Sequence, residues 1–337
     1  MTSTNSFLAA GSAAIAIVAI FSFSQNRRAI EKPTPPTGST QVEATATGDP
    51  AELKLLREKL KADLKLTLSK HDGCTKNEEV VELVEKLAAI NPIPRDCASM
   101  ALFQGEFATL SAPPFPGMIR DEKTGLAQFT LGRLSFNIFQ PKNLLCTVKS
   151  IRNPVYVDSA KSANSSHTGR VDDSTFQYNF VIDLVIHTSP DKDIDQKSVD
   201  DNQSTDLEAT MITTGFCRPS PDVDNRMIVT FTGSSLIPKP TSTDKSNELE
   251  LLWNKNFENA YSTADKERTY MGWVVYYGLK WFLGLNYPED ATMDNDFKCA
   301  YEMKKPVKSH FDVLYLDEDI RITKGGRGTT VVVNRIH

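Results

Sequence analysis

The stretch Ser309–Asn334, SHFDVLYLDEDIRITKGGRGTTVVVN, decides the fold. Phe311, Val313 and Tyr315 alternate with Asp312, Leu314 and Leu316, the two-residue period of a strand. Asp317-Glu318-Asp319 supplies a polar turn, Ile320-Arg321-Ile322 resumes an extended run, and Gly325-Gly326-Arg327-Gly328 turns the chain again. Thr329 to Val333 is β-branched throughout and suits a last strand. The stretch reads as an antiparallel meander closing a sheet.

Upstream segments supply the rest of that sheet. Tyr178, Phe180, Ile182, Leu184 and Ile186 alternate with Asn179, Val181, Asp183, Val185 and His187, which predicts a half-buried strand with Asp183 and His187 toward water. Leu144, Cys146 and Val148 share one face of another strand, as do Leu207, Ala209 and Met211, and Met227, Val229 and Phe231. Ala127, Phe129 and Leu131 keep one phase; after Gly132-Arg133 it moves to Leu134, Phe136 and Ile138, so a bulge is predicted there. About eight short strands separated by turn signals favour a barrel or sandwich over an α/β fold.

Helices flank the strands. Leu53, Leu56, Leu60 and Leu64 fall at helical spacing, and Asn77 opens a second helix striped by Val80, Val84 and Leu87, stopped by Asn91-Pro92-Ile93-Pro94. This pair is expected to plug or flank one mouth of the sheet structure. Between Pro240 and Ser309, Leu249, Leu252, Trp253, Phe257 and Ala260 predict an amphipathic helix over 247–261 with an Asn247-x-x-Glu250 cap. Tyr270 to Leu285, YMGWVVYYGLKWFLGL, is apolar nearly all round. Such a segment is expected inside the protein. Its other reading is an interfacial element touching lipid through Tyr270, Trp273, Tyr277 and Trp281.

Within the opening stretch, Tyr315-Leu316-Asp317-Glu318-Asp319-Ile320-Arg321-Ile322-Thr323-Lys324-Gly325, followed by Gly328 and an apolar strand, resembles the closing signature of the plastid lipid-associated protein (fibrillin, or plastoglobulin) family. The helical pair ending in Asn91-Pro92-Ile93-Pro94 is similar to the start of that family's domain. Gly105-Glu106-Phe107 stands where such chains carry Gly-x-Trp; Phe107 keeps an aromatic plug for a barrel floor and loses the indole N–H. The resemblance implies a mainly β, lipocalin-like antiparallel barrel that binds isoprenoid quinones, carotenoids or acyl lipids without catalysis. It also implies residence at plastoglobules or thylakoid membranes. The expected organisation is a leader or anchor plus linker over 1–50, then one domain over 51–335. Within that domain, 51–92 is the helical pair and 99–335 the barrel, with an insertion about 241–300. The inward aromatic and aliphatic positions Phe107, Phe129, Tyr178, Phe180, Ile182 and Phe231 are the expected ligand lining. The alternative is a structural coat that touches lipid droplets or membranes from outside and holds no internal ligand.

The N-terminus fits delivery to a plastid. Met1 to Asn26 carries no charged side chain, and Phe7 to Phe23 lies at the lower edge of the roughly 17–25 apolar residues that span a bilayer. Arg27-Arg28 and the Pro/Thr-rich stretch 32–47 follow. That order resembles a two-part leader for plastids bounded by extra membranes; the competing reading is an uncleaved anchor through residues 7–23.

Other chemistry finds little support. A chain 40% hydrophobic and 24% charged is an ordinary globular composition, and a net charge of −5 implies no strongly basic face, so nucleic acid is not an expected partner. The five cysteines (Cys74, Cys97, Cys146, Cys217, Cys299) form no C-x-x-C pair. The five histidines (His71, His167, His187, His310, His337) lack metal-ligand spacing, so neither a metal nor a cofactor is expected. No nucleophile elbow, H-E-x-x-H pair or phosphate loop is present. Asp191-Lys192-Asp193-Ile194-Asp195 imitates a calcium loop but has Gln196 where glycine is needed and Asn202 where the closing glutamate belongs. Asp317-Glu318-Asp319 is expected to be balanced locally by Arg321, Lys324 and Arg327. Asn164 and Asn202 match the glycosylation pattern.

Overall fold

A computed structural model describes residues 49–93, 101–157 except 123, 175–187, 206–239, and 246–337 except 258–259, 267–268, 271–272, 275–276, 279–280, 282–283 and 287–298. The leader and linker, the Asp191 loop, His167 and both glycosylation motifs lie outside the described residues.

The described residues open with two helices, α1 (Pro50–Lys70) and α2 (Glu78–Ala89). Each is capped by a side chain: Asp49 accepts from the Ala51 N–H and Asn77 from the Glu79 N–H. The strands that follow are β1 (Gly105–Thr109), β2 (Ile119–Arg120) and β3 (Ala127–Thr130). A helical turn, α3 (Leu131–Leu134), leads to β4 (Leu145–Val157), β5 (Phe176–Tyr178), β6 (Phe180–His187), β7 (Asp206–Pro219) and β8 (Arg226–Pro238). The insertion holds α4 (Ser246–Phe257), α5 (Ala260–Lys266) and β9 (Leu285–Asn286). The closing meander is β10 (Cys299–Leu316), β11 (Ile320–Gly325) and β12 (Thr330–Ile336).

Every pairing is antiparallel, and the sheet closes into an eight-stranded barrel because β1 pairs with both β12 and β4. Around the wall the order is β1, β4, β5 with β6, β7, β8, β10, β11, β12. The β5–β6 position is one wall strand interrupted at Asn179. That side chain takes part in the wall: its Oδ1 accepts from the Gly215 N–H at 3.3 Å. Away from β1, the same strands run on as a flared sheet, with the β2–β3 hairpin on the edge of β4 and β9 on the edge of β10.

Three apolar clusters follow from this geometry. The floor cluster, inside the closed end, holds Phe103, Val155, Phe176, Tyr178, Cys217, Met227, Val229, Phe311, Val313 and Leu316. The mouth cluster fills the flared end with Phe129, Leu134, Phe139, Ile182, Leu184, Trp253, Phe257 and Tyr301 among others. The third lies between Leu60, Leu64, Leu68, Val80, Val84 and Leu87 of the helices and Tyr315, Ile320, Ile322 and Val332 of the meander.

The structure corrects three expectations. The helical pair covers the outer wall of β10–β12 rather than a mouth, because that meander is apolar on both faces; Trp253 and Phe257 of α4 are what stop the mouth, their rings 4.5 Å apart. The alternation of Phe311, Val313 and Tyr315 breaks at a bulge between Val313 and Tyr315, so Tyr315 turns outward to the helices and Leu316 inward. Conversely, the phase slip after Phe129 is no bulge. β3 ends at Thr130, and Leu131, Leu134 and Ile138 are buried at helical spacing while Phe136, in the left-handed region at φ 55°, is exposed.

Candidate ligand-binding site

The floor is assembled around Phe107. Its ring lies between two guanidinium groups, with the Arg321 carbon 4.1 Å and the Arg335 carbon 4.6 Å from its centroid. Arg335 ties the floor down by donating to the carbonyls of Leu102, Gln104 and Glu318. Gly105 is needed beside it: its φ is 128°, and a Cβ there would collide with the Arg335 guanidinium. Arg321 is buried in the barrel, against Phe103 as well as Phe107, and donates from Nη2 to Asn153 Oδ1. Burial lowers its pKa, and its Nε and Nη1 have no partner among the described residues. This corrects the expectation that Arg321 would balance the Asp317–Asp319 turn.

Lys61 of α1 takes that part. Its Nζ lies 2.6 Å from Asp319, 2.7 Å from Glu58 and 2.9 Å from Asp317. Burial works against the Lys61 charge, but hydrogen bonds to Asp319, Glu58 and Asp317 outweigh it and hold the pKa above the usual lysine value. Burial likewise opposes the Asp317 charge; hydrogen bonds from the Ile320 N–H, the Tyr315 hydroxyl and Lys61 outweigh it and lower the carboxyl's pKa. Glu58, Asp317 and Asp319 are close enough together to hold a cation, and the Lys61 ammonium already sits at that place.

The six expected lining residues do not form one surface. Phe107 belongs to the floor. Phe129 packs on Phe115 at the flared edge and Ile182 lies in the mouth cluster, both fully buried. Tyr178, Phe180 and Phe231 do come together: the Tyr178 and Phe180 rings are 5.2 Å apart, and those of Phe180 and Phe231 6.2 Å. Phe180 and Phe231 touch both the floor and the mouth clusters, so they sit at mid-height in the interior. Although both point inward, each is only half-buried.

Polar groups at that height escaped the hydrophobic pattern. Thr213 and Ser234 face inward with their hydroxyls 3.2 Å apart, and Ser234 also reaches the Ile212 carbonyl at 3.1 Å. The buried Tyr301 hydroxyl faces Ser234 yet makes no hydrogen bond of good geometry among the described residues. Aromatic walls with a few converging hydroxyls are the usual make-up of a small-molecule site.

On the outer wall His187 accepts or donates to Thr147 Oγ1 at 2.7 Å and Asp206 Oδ1 at 3.0 Å. The line imitates a catalytic triad. However, Thr147 is buried, and the strand N–H groups around it are used by the β3–β4–β6 ladder, so no substrate carbonyl reaches that hydroxyl.

The described residues of the 270–285 segment depart from the expected interior position. Tyr270 is 85% exposed and Trp281 76%, with Val274 and Tyr277 also exposed, while Trp273 stacks on Tyr277 at 5.2 Å. Tyr270, Val274, Tyr277 and Trp281 fall three or four residues apart, on one helical stripe. The segment is joined to β10: the Gly284 carbonyl accepts from the Lys304 N–H at 3.0 Å, and Lys305 Nζ lies over the Trp281 ring at 5.0 Å. Lys304, Lys305 and Lys308 are exposed beside it. No protein-family model, curated protein or solved structure matches the chain.

Proposed function

We propose that the barrel is a non-enzymatic binder of apolar lipids that works against a membrane or lipid-droplet surface. The observation that carries this reading is the mid-height interior, where the inward Phe180 and Phe231 keep accessible surface between two packed clusters. A ligand that covers those rings gains on the order of 25 cal/mol per Å² of apolar surface removed from water. The resemblance of residues 315–328 to the plastid lipid-associated family narrows the ligands to isoprenoid quinones, carotenoids or acyl lipids, and the place to plastoglobules or thylakoids.

A second reading, a coat that touches lipid only from outside, draws on the exposed stripe from Tyr270 to Trp281. Solvent extraction of the purified protein separates the two: the binder releases a bound lipid and the coat does not. The Phe180→Ala/Phe231→Ala double variant is expected to remain folded and to lose binding of a fluorescent fatty acid or quinone. Unchanged binding in the folded double variant removes this interior as the site.

A further inference from the structure

The floor of the barrel is sealed by Phe107 and its two arginines, and the mouth by Trp253 and Phe257. Among the described residues, both ends are filled by packed side chains. The wall does part, at one height. Between β8 and β10 the register jumps from Glu302 opposite Gly233 to Val307 opposite Phe231, so residues 303–306 have only Thr232 across from them. The neighbouring β7–β8 pair slips at the same level, between Thr214 and Gly215. A cleft of about 360 Å³ opens there. Its lining mixes the two faces of the wall: Thr214, Glu302 and Lys304 from outside, Ser234, Tyr301 and Met303 with buried side chains.

Three further features converge on this break. Phe231, beside it on β8, is like Phe180 an inward aromatic residue that keeps accessible surface. Tyr301 also lines the cleft, and its buried hydroxyl, which faces Ser234, makes no hydrogen bond of good geometry among the described residues. A buried hydroxyl left unpaired costs free energy that an arriving acceptor or donor recovers. The exposed aromatic stripe ends at the same place, because β9 pairs with Glu302 and Met303 and Lys305 holds Trp281.

We infer that lipid enters sideways through the parted wall between β8 and β10, straight from a membrane on which the Tyr270–Trp281 stripe rests. The inference rests on the lipid-binding reading. It adds the ligand's class and route: an amphiphile whose oxygen-bearing head meets Tyr301 and Ser234 while its apolar tail runs inward past Phe231 and Phe180. Lys304, Lys305 and Lys308 suit an anionic bilayer, opposed locally by the exposed Glu302.

The test follows transfer of cis-parinaric acid, a fluorescent polyene fatty acid, from phosphatidylcholine/phosphatidylglycerol vesicles to the full chain by stopped flow. Thr232→Trp and the outward Thr214→Trp fill the cleft and are expected to slow transfer by at least about tenfold, as blocking a gate does. Lys149→Trp adds the same bulk to exposed β4 wall and should transfer at the unaltered rate. Near-UV circular dichroism checks folding, and if Thr232→Trp unfolds, Thr214→Trp decides. Transfer rates equal to that of Lys149→Trp in a folded cleft variant overturn the sideways route. No uptake at all by the unaltered protein overturns the lipid-binding reading itself.

Discussion

The floor of the barrel and the wall at mid-height are built from neighbouring stretches of the same strands, yet one is locked and the other parted. At the floor, β1 finds a partner on both sides, and two guanidinium groups grip one ring. At mid-height, β10 carries more residues than β8 can pair, and the surplus is left without a partner on β8. Sheet continuity is thus set residue by residue by register, and a shift of register places an opening where alternation alone would draw an unbroken wall.

Breaking the locked region should cost most. Phe107→Ala removes a fully buried ring from between Arg321 and Arg335, and is expected to destabilise the protein by about 3–5 kcal/mol in urea unfolding. Lys61→Ala, which unfastens the helical pair from the outer wall, should cost about 2–3 kcal/mol, less than a fully buried ion pair because Asp319 is partly exposed. Its pH dependence has a definite sign. The Asp317 contribution is present above the ordinary value of 3.8 and is lost as pH falls through the lower folded value. The Lys61 contribution is present below 10.5 and is lost as pH rises through the higher folded value. The stability gap between the unaltered chain and Lys61→Ala should therefore stay flat from about pH 5 to 9 and shrink in acid.

The parted region should tolerate more. Phe231→Ala removes a ring that is only partly buried, so its cost should stay below about 2 kcal/mol, well under that of Phe107→Ala. Equal losses for the two would erase the contrast between floor and mid-height. Smallest of all, Trp273→Ser/Trp281→Ser should change stability within about 0.5 kcal/mol while abolishing flotation with liposomes. Flotation retained by the folded double variant would strip the stripe of its membrane role.

The barrel was legible in the sequence because period-two alternation survives wherever one face of a strand is buried and the other wet. Residues 178–186 and the Met227-Val229-Phe231 face follow it closely. It failed where burial is two-sided or local spacing is ambiguous. Tyr315 turned outward because the helices give that wall a second apolar layer, and Leu131-x-x-Leu134 was helical. The site was less visible. Tyr178, Phe180 and Phe231 are apolar residues like any others, and only the register jump and the unpaired Tyr301 hydroxyl single out their neighbourhood. Arg321 carried no signal either, since a charged side chain inside a barrel contradicts its own hydropathy. The stripe from Tyr270 to Trp281 was visible as composition, but its exposure was not, because a run apolar nearly all round has no wet face from which to read direction.

The pairing of β1 with β12 has a consequence for synthesis. Arg335 and the carbonyl of Gln104 that it grips are 231 residues apart in the chain. While the ribosome is still making the closing meander, β1 has no neighbour on that side and the barrel stands open like an unrolled sheet. Its apolar face is then wetted for a few seconds at about 5–20 residues per second, an interval in which a nascent chain is open to aggregation. Haste in the last few dozen codons would shorten that exposure.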